Sequence, residues 1–185
     1  MRLFVSVDLP AELADGVAAI QDRFADASGL DFTDPTQAHV TVKFLGETPE
    51  HRVEDVVAGL ETAVDVSGVE PFETTYAGLG VFPSLEYINV VWLGVTEGEQ
   101  EFLDLQAAIE DELVDRGFDE EDHEFTPHVT LARMRHAGSK DLVRRVVTEE
   151  SPVAGSTLVE EVRLTKSSLT DDGPVYETVA AIPLG

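Results

Sequence analysis

The chain of 185 residues contains no cysteine, which excludes disulfide bonds, thiolate nucleophiles and zinc sites built from thiolates. Its longest apolar runs, such as residues 90–93, are far too short to cross a membrane, and its first residues lack the pattern of a secretory signal. We therefore expect a cytoplasmic protein with no membrane partner.

Positive charge is scarce, with 12 lysine and arginine residues against 37 acidic ones and a formal net charge of −25. An acid-rich surface of this kind is typical of proteins that work at very high salt, where the Debye length shrinks to about 3 Å at 1 M and self-repulsion is screened. The same charge repels nucleic acid in general. If RNA is the partner, we expect it to be bound locally, at one phosphate or chain end, and not along a basic groove.

One short string occurs twice, as Ala-His-Val-Thr-Val-Lys-Phe at residues 38–44 and as Pro-His-Val-Thr-Leu-Ala-Arg at residues 127–133. The alternation of apolar and polar residues predicts a β-strand in each copy. A period of two places His39 and Thr41 on one face of the first strand, and His128 and Thr130 on one face of the second. The valines take the opposite face.

The flanking segments suggest that the doubled string belongs to an internal repeat. His39 and His128 are 89 residues apart, and the same offset brings apolar helix positions into register. The matched pairs are Leu13 with Phe102, Ile20 with Ile109, Phe24 with Leu113, and Val57 with Val146. We predict a single domain over residues 1–185, with a first copy over about 2–64 and a second over about 87–149. A pseudo-twofold axis between the copies would bring the two His-Thr faces to one cleft.

The doubled His-Thr pair is suited to acid-base chemistry on a phosphate. An imidazole with an unperturbed pKa near 6.5 exists in both protonation states near neutral pH, so one histidine can act as base and the other as acid. The hydroxyls of Thr41 and Thr130 can donate to the non-bridging phosphate oxygens. This arrangement requires no metal. The alternative is that both histidines are half-buried strand residues at a lobe interface.

Cations cluster after the motifs, since Lys43, Arg133 and Arg135 all follow a motif histidine within seven residues. Alternation predicts that Lys43 shares the face of His39. Arg133 falls formally on the face opposite His128, so its approach to the site depends on strand twist or on the strand end. Lys43 and Arg133 are candidate substrate contacts, and the alternative for each is a solvated surface cation.

The rest of the pattern predicts further strands and helices. Thr96 with Glu99 predicts a capping box at the start of the third helix. Two closing strands are predicted near residues 157–169 and 175–182. Trp92 and Phe82 are expected to pack in the core and not to stack on bases, whereas Tyr176 either lines the cleft or packs.

Five segments carry a resemblance to a known family. They are Arg2–Val5 with Leu9–Pro10, His39–Val42 with Phe44–Gly46, Gly80–Pro83 with Val91–Val95, Phe125–Arg133, and Gly173–Tyr176. With these segments the chain resembles the LigT-type RNA 2′,3′-cyclic phosphodiesterases, also called 2′-5′ RNA ligases, among the two-histidine phosphoesterases. Together with the acidic composition, the resemblance implies a protein from a halophilic archaeon.

The resemblance implies an α+β fold of two pseudo-twofold-related lobes, with antiparallel sheets lining a central cleft and helices outside. It implies that His39 donates a proton to the leaving oxygen and that His128 accepts one from water, which opens a terminal 2′,3′-cyclic phosphate to a 2′-phosphate. The implied substrates are RNA 3′ ends or short oligonucleotides that carry a 2′,3′-cyclic phosphate. We expect no cofactor and no metal, and we expect the protein to act as a monomer. Relatives often have arginine where this chain has Asn89.

Three alternatives stay open from the sequence. The chain could act on another nucleotide-derived cyclic phosphate, or it could be a non-catalytic module that binds RNA ends or nucleotides. The same two histidines could also run the reverse reaction, in which a 5′-hydroxyl replaces water and two RNA ends are ligated. Sequence symmetry does not distinguish the proton donor from the acceptor.

Overall fold

The structure is a computed structural model that describes residues 1–185, with nine strands and four helices. The strands are β1 (Arg2–Asp8), β2 (Leu30–Phe32), β3 (His39–Glu47), β4 (Phe72–Pro83), β5 (Ile88–Glu97), β6 (Val129–Met134), β7 (Val153–Val159), β8 (Glu161–Thr170) and β9 (Gly173–Pro183). The helices are α1 (Ala14–Asp22), α2 (Val53–Ser67), α3 (Glu99–Asp115) and α4 (Lys140–Glu149). No helix combines the length and the apolarity needed to span a membrane.

All strand pairs are antiparallel, and the strands form one sheet in the order β7-β4-β5-β6-β3-β1-β8-β9, with β2 beside β6. The two halves of the sheet meet at a single residue pair, Val40 of β3 and Val129 of β6. Adding 89 to the residue numbers of β1, β3 and β4 gives ranges that overlap β5, β6 and β8. The order of the six central strands is therefore the same when it is followed from either edge of the sheet, with each strand replaced by its counterpart. The predicted α+β class is confirmed.

Helices cover one face of the sheet and form the core with it. The apolar faces of α2 and α3 are fully buried, as Val56, Leu60, Leu105 and Ile109 show. Val40 of β3 belongs to the same apolar cluster. Burying the valine face of the motif strands against helices leaves their histidine-threonine face toward the cleft.

Two predicted element boundaries were wrong. Strand β5 continues through Thr96 to Glu97, and Gly98 takes the N-cap of α3 with a φ of 85°. A side chain at Gly98 would place its Cβ 2.8 Å from the carbonyl oxygen of Glu73, so glycine is required by both backbone conformation and space. The strand predicted near 157–169 is two strands, because the chain leaves β7 at one edge of the sheet and enters β8, the strand next to the opposite edge, with only Glu160 between them.

A β-bulge interrupts β3 directly after the motif. Ser6 pairs with Thr41 and Val5 pairs with Lys43, which leaves Val42 without a partner on β1. A bulge of one residue reverses the alternation of faces beyond it. Lys43 is therefore buried on the helix side, next to Val42, and Phe44 is 63% exposed.

A second bulge interrupts β6 at the matching position. Thr130 pairs with Trp92 and Ala132 pairs with Val91, which leaves Leu131 without a partner on β5. Leu131 and Ala132 are both buried, and Arg133 is exposed. The bulge at Leu131 lies 89 residues after the bulge at Val42, and each turns the residue two positions further on toward the cleft.

Candidate functional site

The two motifs meet at the centre of the sheet. Val40 lies opposite Val129, and extending this antiparallel register by one residue each way sets His39 across from Thr130 and Thr41 across from His128. Side chains opposite one another in an antiparallel pair have Cβ atoms about 5 Å apart. The four polar side chains therefore form one group on the cleft face, as the alternation of the sequence predicts.

Each imidazole is held in one orientation by the same local contact. The Nδ1 of His39 lies 2.9 Å from the carbonyl oxygen of Gln37, and the Nδ1 of His128 lies 2.6 Å from that of Thr126. A carbonyl accepts only, so in both neutral rings Nδ1 carries the hydrogen and Nε2 retains its lone pair. Each contact reaches back two residues, and the Gln37 side chain in turn bonds to the backbone of Pro174 and Tyr176 on β9.

Aromatic rings line both imidazoles. His39 has Phe4 and Tyr176 with ring centroids 5.1 Å away in each case. His128 has Phe82 at 4.8 Å and Trp92 at 5.8 Å. The expectation that Phe82 and Trp92 pack in the core was wrong, because both are only half-buried and lie in the cleft beside a motif histidine.

The indole of Trp92 lies across Gly80 of the neighbouring strand. A Cβ on Gly80 would come within 2.2 Å of the indole ring, so the cleft can hold Trp92 in this place only above a residue without a side chain. The indole Nε1 is buried and has no hydrogen-bond acceptor within the protein. The position of Trp92 beside His128 thus depends on Gly80. A glycine inside a strand is visible in the sequence, but the sequence does not show which side chain fills the space above it.

Burial lowers the pKa of both motif histidines, because a charged imidazole loses hydration there. Their charged neighbours differ in sign. The carboxylate of Asp8 partly raises the pKa of His39, whereas the guanidinium of Arg133 lowers that of His128 further. The two imidazoles are thus alike in local bonding and opposite in electrostatic surroundings.

Asp8 is the cross-strand neighbour of His39 in the β1–β3 pair. Its carboxylate accepts hydrogen bonds from the hydroxyl of Ser6 at 2.8 Å and from the guanidinium of Arg163 at 3.0 Å. These contacts hold the carboxylate at the edge of the cleft. The sequence alone does not identify Asp8 as a neighbour of His39, because that contact depends on the register of β1 against β3.

Lys43 does not reach the cleft, and the prediction that it shares the face of His39 was wrong. The bulge at Val42 turns Lys43 toward the helices, where its side chain is 1% exposed. Its ammonium donates to Glu110 of α3 at 2.7 Å and to the carbonyl oxygen of Asp119 at 2.7 Å. Lys43 is therefore not a candidate substrate contact.

Arg133 reaches the cleft because of the bulge at Leu131. Burial lowers the pKa of His128 and raises that of Tyr176; the charge of Arg133 adds to the first effect and partly opposes the second, so Arg133 lies near both side chains. Arg133 has no ion-pair partner in the protein. The bulge at Val42 likewise brings Phe44 to the cleft, with its ring 6.1 Å from that of Phe4. Strict alternation from His39 predicts that Phe44 lies on the buried face, so its place in the cleft is visible only in the structure.

One group of carboxylate and imidazole side chains outside the motifs is close enough together to offer ligands to a metal ion. Glu121, Asp122 and His123 lie together on the loop between α3 and β6, and the last two are exposed. Asn89 is exposed at the start of β5.

Comparison with known proteins places this site in context. A model of the 2′-5′ RNA ligase superfamily matches residues 9–171. A Methanothermobacter thermautotrophicus protein named RNA 2′,3′-cyclic phosphodiesterase is 39% identical over 181 residues, which cover 95% of each chain. An Archaeoglobus fulgidus protein of the same name is 32% identical over 179 residues, covering 96% of this chain and 97% of the other.

Solved structures share the fold. A Thermus thermophilus crystal structure superposes with a TM-score of 0.82 at 28% identity, covering 100% of this chain and 98% of that one. The structure of Escherichia coli LigT complexed with 3′-AMP gives a TM-score of 0.79 at 24% identity, covering 99% and 97% of the two chains.

Proposed function

The chain belongs to the 2′-5′ RNA ligase superfamily, and we propose that it hydrolyses the 2′,3′-cyclic phosphate at RNA 3′ ends to a 2′-phosphate. The observation that carries the proposal is the pair of cleft imidazoles with neighbours of opposite charge, Asp8 beside His39 and Arg133 beside His128. A carboxylate favours the protonated imidazole and a guanidinium favours the neutral one. This asymmetry supports His39 as the acid and His128 as the base.

On the attacking side, His128 takes the proton from water. Burial and the charge of Arg133 keep the imidazole neutral near pH 7, and the contact to Thr126 leaves the lone pair on Nε2. As Nε2 removes the proton, the water oxygen attacks phosphorus in line with the ring oxygen that will leave.

On the leaving side, His39 gives a proton to the 3′-oxygen. Asp8 favours the imidazolium, and the negative charge of the bound phosphate favours it further. Proton transfer from Nε2 accompanies cleavage of the bond between phosphorus and the 3′-oxygen, so the product carries a 2′-phosphate and a 3′-hydroxyl. His128 ends protonated and His39 neutral, and exchange with solvent restores both.

The remaining cleft residues bind the substrate. Thr41 and Thr130 donate to the non-bridging phosphate oxygens, and Arg133 neutralises their charge. Phe44, exposed beside Phe4, offers a face on which the terminal base stacks. Every role in this scheme belongs to a side chain of the protein.

The test is turnover of an oligonucleotide that ends in a 2′,3′-cyclic phosphate, at high salt with a chelator present. Conversion to the 2′-phosphate is the expected result, and the histidine variants described in the Discussion assign the chemistry. Binding without turnover would favour a non-catalytic RNA-end module. Turnover of other nucleotide-derived cyclic phosphates but not of RNA would favour a related phosphodiesterase. Ligation is tested by supplying a second RNA with a 5′-hydroxyl.

The dependence of kcat/KM on pH is expected to be bell-shaped, with its maximum below about pH 6.5. The base must be neutral and the acid protonated, and burial lowers both pKa values from the ordinary histidine value, so both limbs move to lower pH. Replacing Asp8 with asparagine removes the charge that raises the pKa of His39, so the high-pH limb, which reports loss of the acid's proton, moves to still lower pH. Arg133→Gln removes a charge that lowers the pKa of His128, so the low-pH limb, which reports protonation of the base, moves to higher pH.

The pH profile is measured from pH 4 to 9 on a substrate without groups that titrate in this range. Arg145→Gln, which removes an exposed arginine of α4, serves as the control and leaves both limbs in place. A rate that rises steadily through pH 9, or limbs that ignore Asp8 and Arg133, would contradict the assignment.

We also propose that the protein works in the high-salt cytoplasm of a halophile, where RNA ends are found. The support is the net charge of −25 distributed over the whole chain. The midpoint of thermal unfolding is expected to rise as KCl is increased from 0.1 M to molar levels, because the Debye length falls from about 10 Å to about 3 Å. Circular dichroism measures the midpoint, and a value independent of KCl would contradict the proposal.

We propose that the protein is a monomer, because both motifs lie on one chain and a single copy contains both His-Thr pairs. Sedimentation is expected to give the mass of one chain, and a larger mass would contradict the proposal. We propose further that residues 2–64 and 87–149 are two copies of one unit. The matching bulges at Val42 and Leu131 and the matching carbonyl contacts from Gln37 and Thr126, each at an offset of 89 residues, support the duplication.

A further inference from the structure

The positive charge of the chain is concentrated in one segment. Residues 133–145 contain five of the 12 basic residues and one of the 37 acidic ones. This segment has a formal charge of +4, and the remaining residues together have −29. In a protein that repels nucleic acid over most of its surface, a locally basic segment next to the cleft decides where a polyanion can lie.

Four of these residues form a strip that starts in the cleft. Arg133 lies near the end of β6, and Arg135 follows just past the strand, where its backbone N–H donates to the carbonyl oxygen of Gly29. Two residues of extended chain span about 6.7 Å. Strand β6 leads into α4, where Lys140 and Arg144 are four residues apart and so share one side of the helix. We call Arg133, Arg135, Lys140 and Arg144 the basic strip.

A small cavity of about 130 Å³ opens along the strip, between the β4–β5 turn, the end of β6 and the start of α4. Arg135, His136 and Lys140 line one side, and Tyr87 and Asn89 line the other. The turn is tied to α4, because the ammonium of Lys140 donates to the carbonyl oxygen of Glu86. The Tyr87 side chain is 67% exposed, and no aromatic ring packs on it.

Three acidic residues lie along the strip, and one of them is Asp141, which is exposed in the first turn of α4. Asp31 pairs with Arg135 at 3.0 Å, both side chains being well exposed, and Glu86 lines the cavity. Arg133 and Arg144 have no acidic partner. The strip is therefore partly neutralised at Arg135, and a bound phosphate has to compete with Asp31 there.

We propose that Arg135, Lys140 and Arg144 of the basic strip, together with Tyr87, bind the part of the RNA that precedes the terminal cyclic phosphate, which Arg133 meets. The inference rests on the proposed function, because a cyclic phosphate at a 3′ end leaves the rest of the strand to run out of the cleft in the 5′ direction. Successive phosphates meet Arg135, Lys140 and Arg144, and one base stacks on Tyr87. Backbone charge and stacking recognise any sequence, so the strip selects for length and not for bases.

The experiment compares two substrates, a nucleoside 2′,3′-cyclic monophosphate and an oligonucleotide of several residues with the same end. In the triple variant Arg135→Gln, Lys140→Gln, Arg144→Gln, KM for the oligonucleotide is expected to rise at least tenfold at low KCl. Its dependence on salt, as a slope of log KM against log KCl, is expected to fall by about 2, since three phosphate contacts to a single strand are lost. The triple variant is expected to turn over the monophosphate at a rate within twofold of the wild type, because Arg133 and both motif histidines are intact.

Three single variants sharpen the result. Tyr87→Ala is expected to raise KM for the oligonucleotide by about fivefold with little dependence on salt, as loss of a stacked base would. Asp31→Asn frees Arg135 and is expected to lower KM for the oligonucleotide only. Arg145→Gln is the matched control, because Arg145 points about 140° around α4 from Lys140 and leaves both KM values unchanged.

The outcomes separate this inference from the proposed function. Normal turnover of both substrates by the triple variant, with an unchanged KM for the oligonucleotide, would overturn the strip and leave the phosphodiesterase in place. A wild-type protein that shows no lower KM for the oligonucleotide than for the monophosphate would overturn it equally. No turnover of either substrate by the wild type would instead contradict the proposed function.

Discussion

Alanine at His128 or at His39 is expected to lower kcat on a cyclic-phosphate-ended RNA by about 10²–10⁴-fold, the range typical for loss of a general acid or base. The Nδ1 contact to the carbonyl oxygen of Gln37 or Thr126 fixes each ring and leaves its Nε2 free, so alanine removes the one nitrogen that is available for proton transfer. KM should change much less, since Thr41, Thr130 and Arg133 still bind the phosphate. Steady-state kinetics of the two variants measures the effect.

The double variant is expected to be about as slow as either single variant, because the two histidines act in one step and their effects do not add. His51→Ala is the matched control, as His51 is exposed in the turn before α2 and touches neither motif. Turnover that is indifferent to either substitution would contradict paired acid-base catalysis.

The direction of proton flow can be tested with the same variants. A cyclic substrate with sulfur in place of the 3′-oxygen has a leaving group that needs no protonation. If His39 is the acid, this substrate should restore most of the rate of His39→Ala and little of the rate of His128→Ala. Rescue of the opposite variant would reverse the assignment.

Removal of Glu110 is expected to destabilise the protein by about 3–5 kcal/mol, because it leaves the buried ammonium of Lys43 without its charge partner. The side chain of Lys43 is 1% exposed and that of Glu110 is 16% exposed, and 2.7 Å separates their charged atoms. Glu110 also accepts from the backbone N–H of Glu121 at 2.7 Å. Glu110→Ala therefore loses an ion pair and an anchor of the loop that leads to His128. Denaturant unfolding measures the free energy.

Two further variants control for this result. Glu150→Ala breaks the exposed pair with Arg23 and is expected to cost less than about 1 kcal/mol. The double variant Lys43→Met, Glu110→Leu removes both charges and should be more stable than Glu110→Ala, because no unpaired charge stays buried. A Glu110→Ala variant no less stable than Glu150→Ala would mean that Lys43 finds water or another acceptor.

The buried ion pair also explains why a cation follows the first motif without serving the site. Lys43 links β3 to α3 and to the carbonyl oxygen of Asp119, on the loop that ends at the second motif. Its role is to join the two halves beneath the cleft. Arg133, which the alternation of residues disfavours, is the cation that reaches the cleft.

The sequence by itself determined the two motif strands and indicated the class of chemistry. Alternation over the short stretches around His39 and His128 is a local property, and repetition of the whole string made a chance pairing implausible. The amphipathic periods of α1 and α3 were sufficient to identify core residues such as Ile20 and Ile109, because burial of one helix face is decided by spacing alone.

Only the tertiary structure decided which neighbours the histidines have. A bulge is fixed by pairing with a distant strand, so the sequence of β3 does not reveal that Lys43 turns inward and Phe44 outward. Asp8, Tyr176 and Trp92 reach the cleft through register between strands that are far apart in the chain. The two motifs are nearly identical in sequence, and the proposed difference between acid and base rests on these non-local contacts, because a pKa depends on the charges, the hydrogen bonds and the burial around a group.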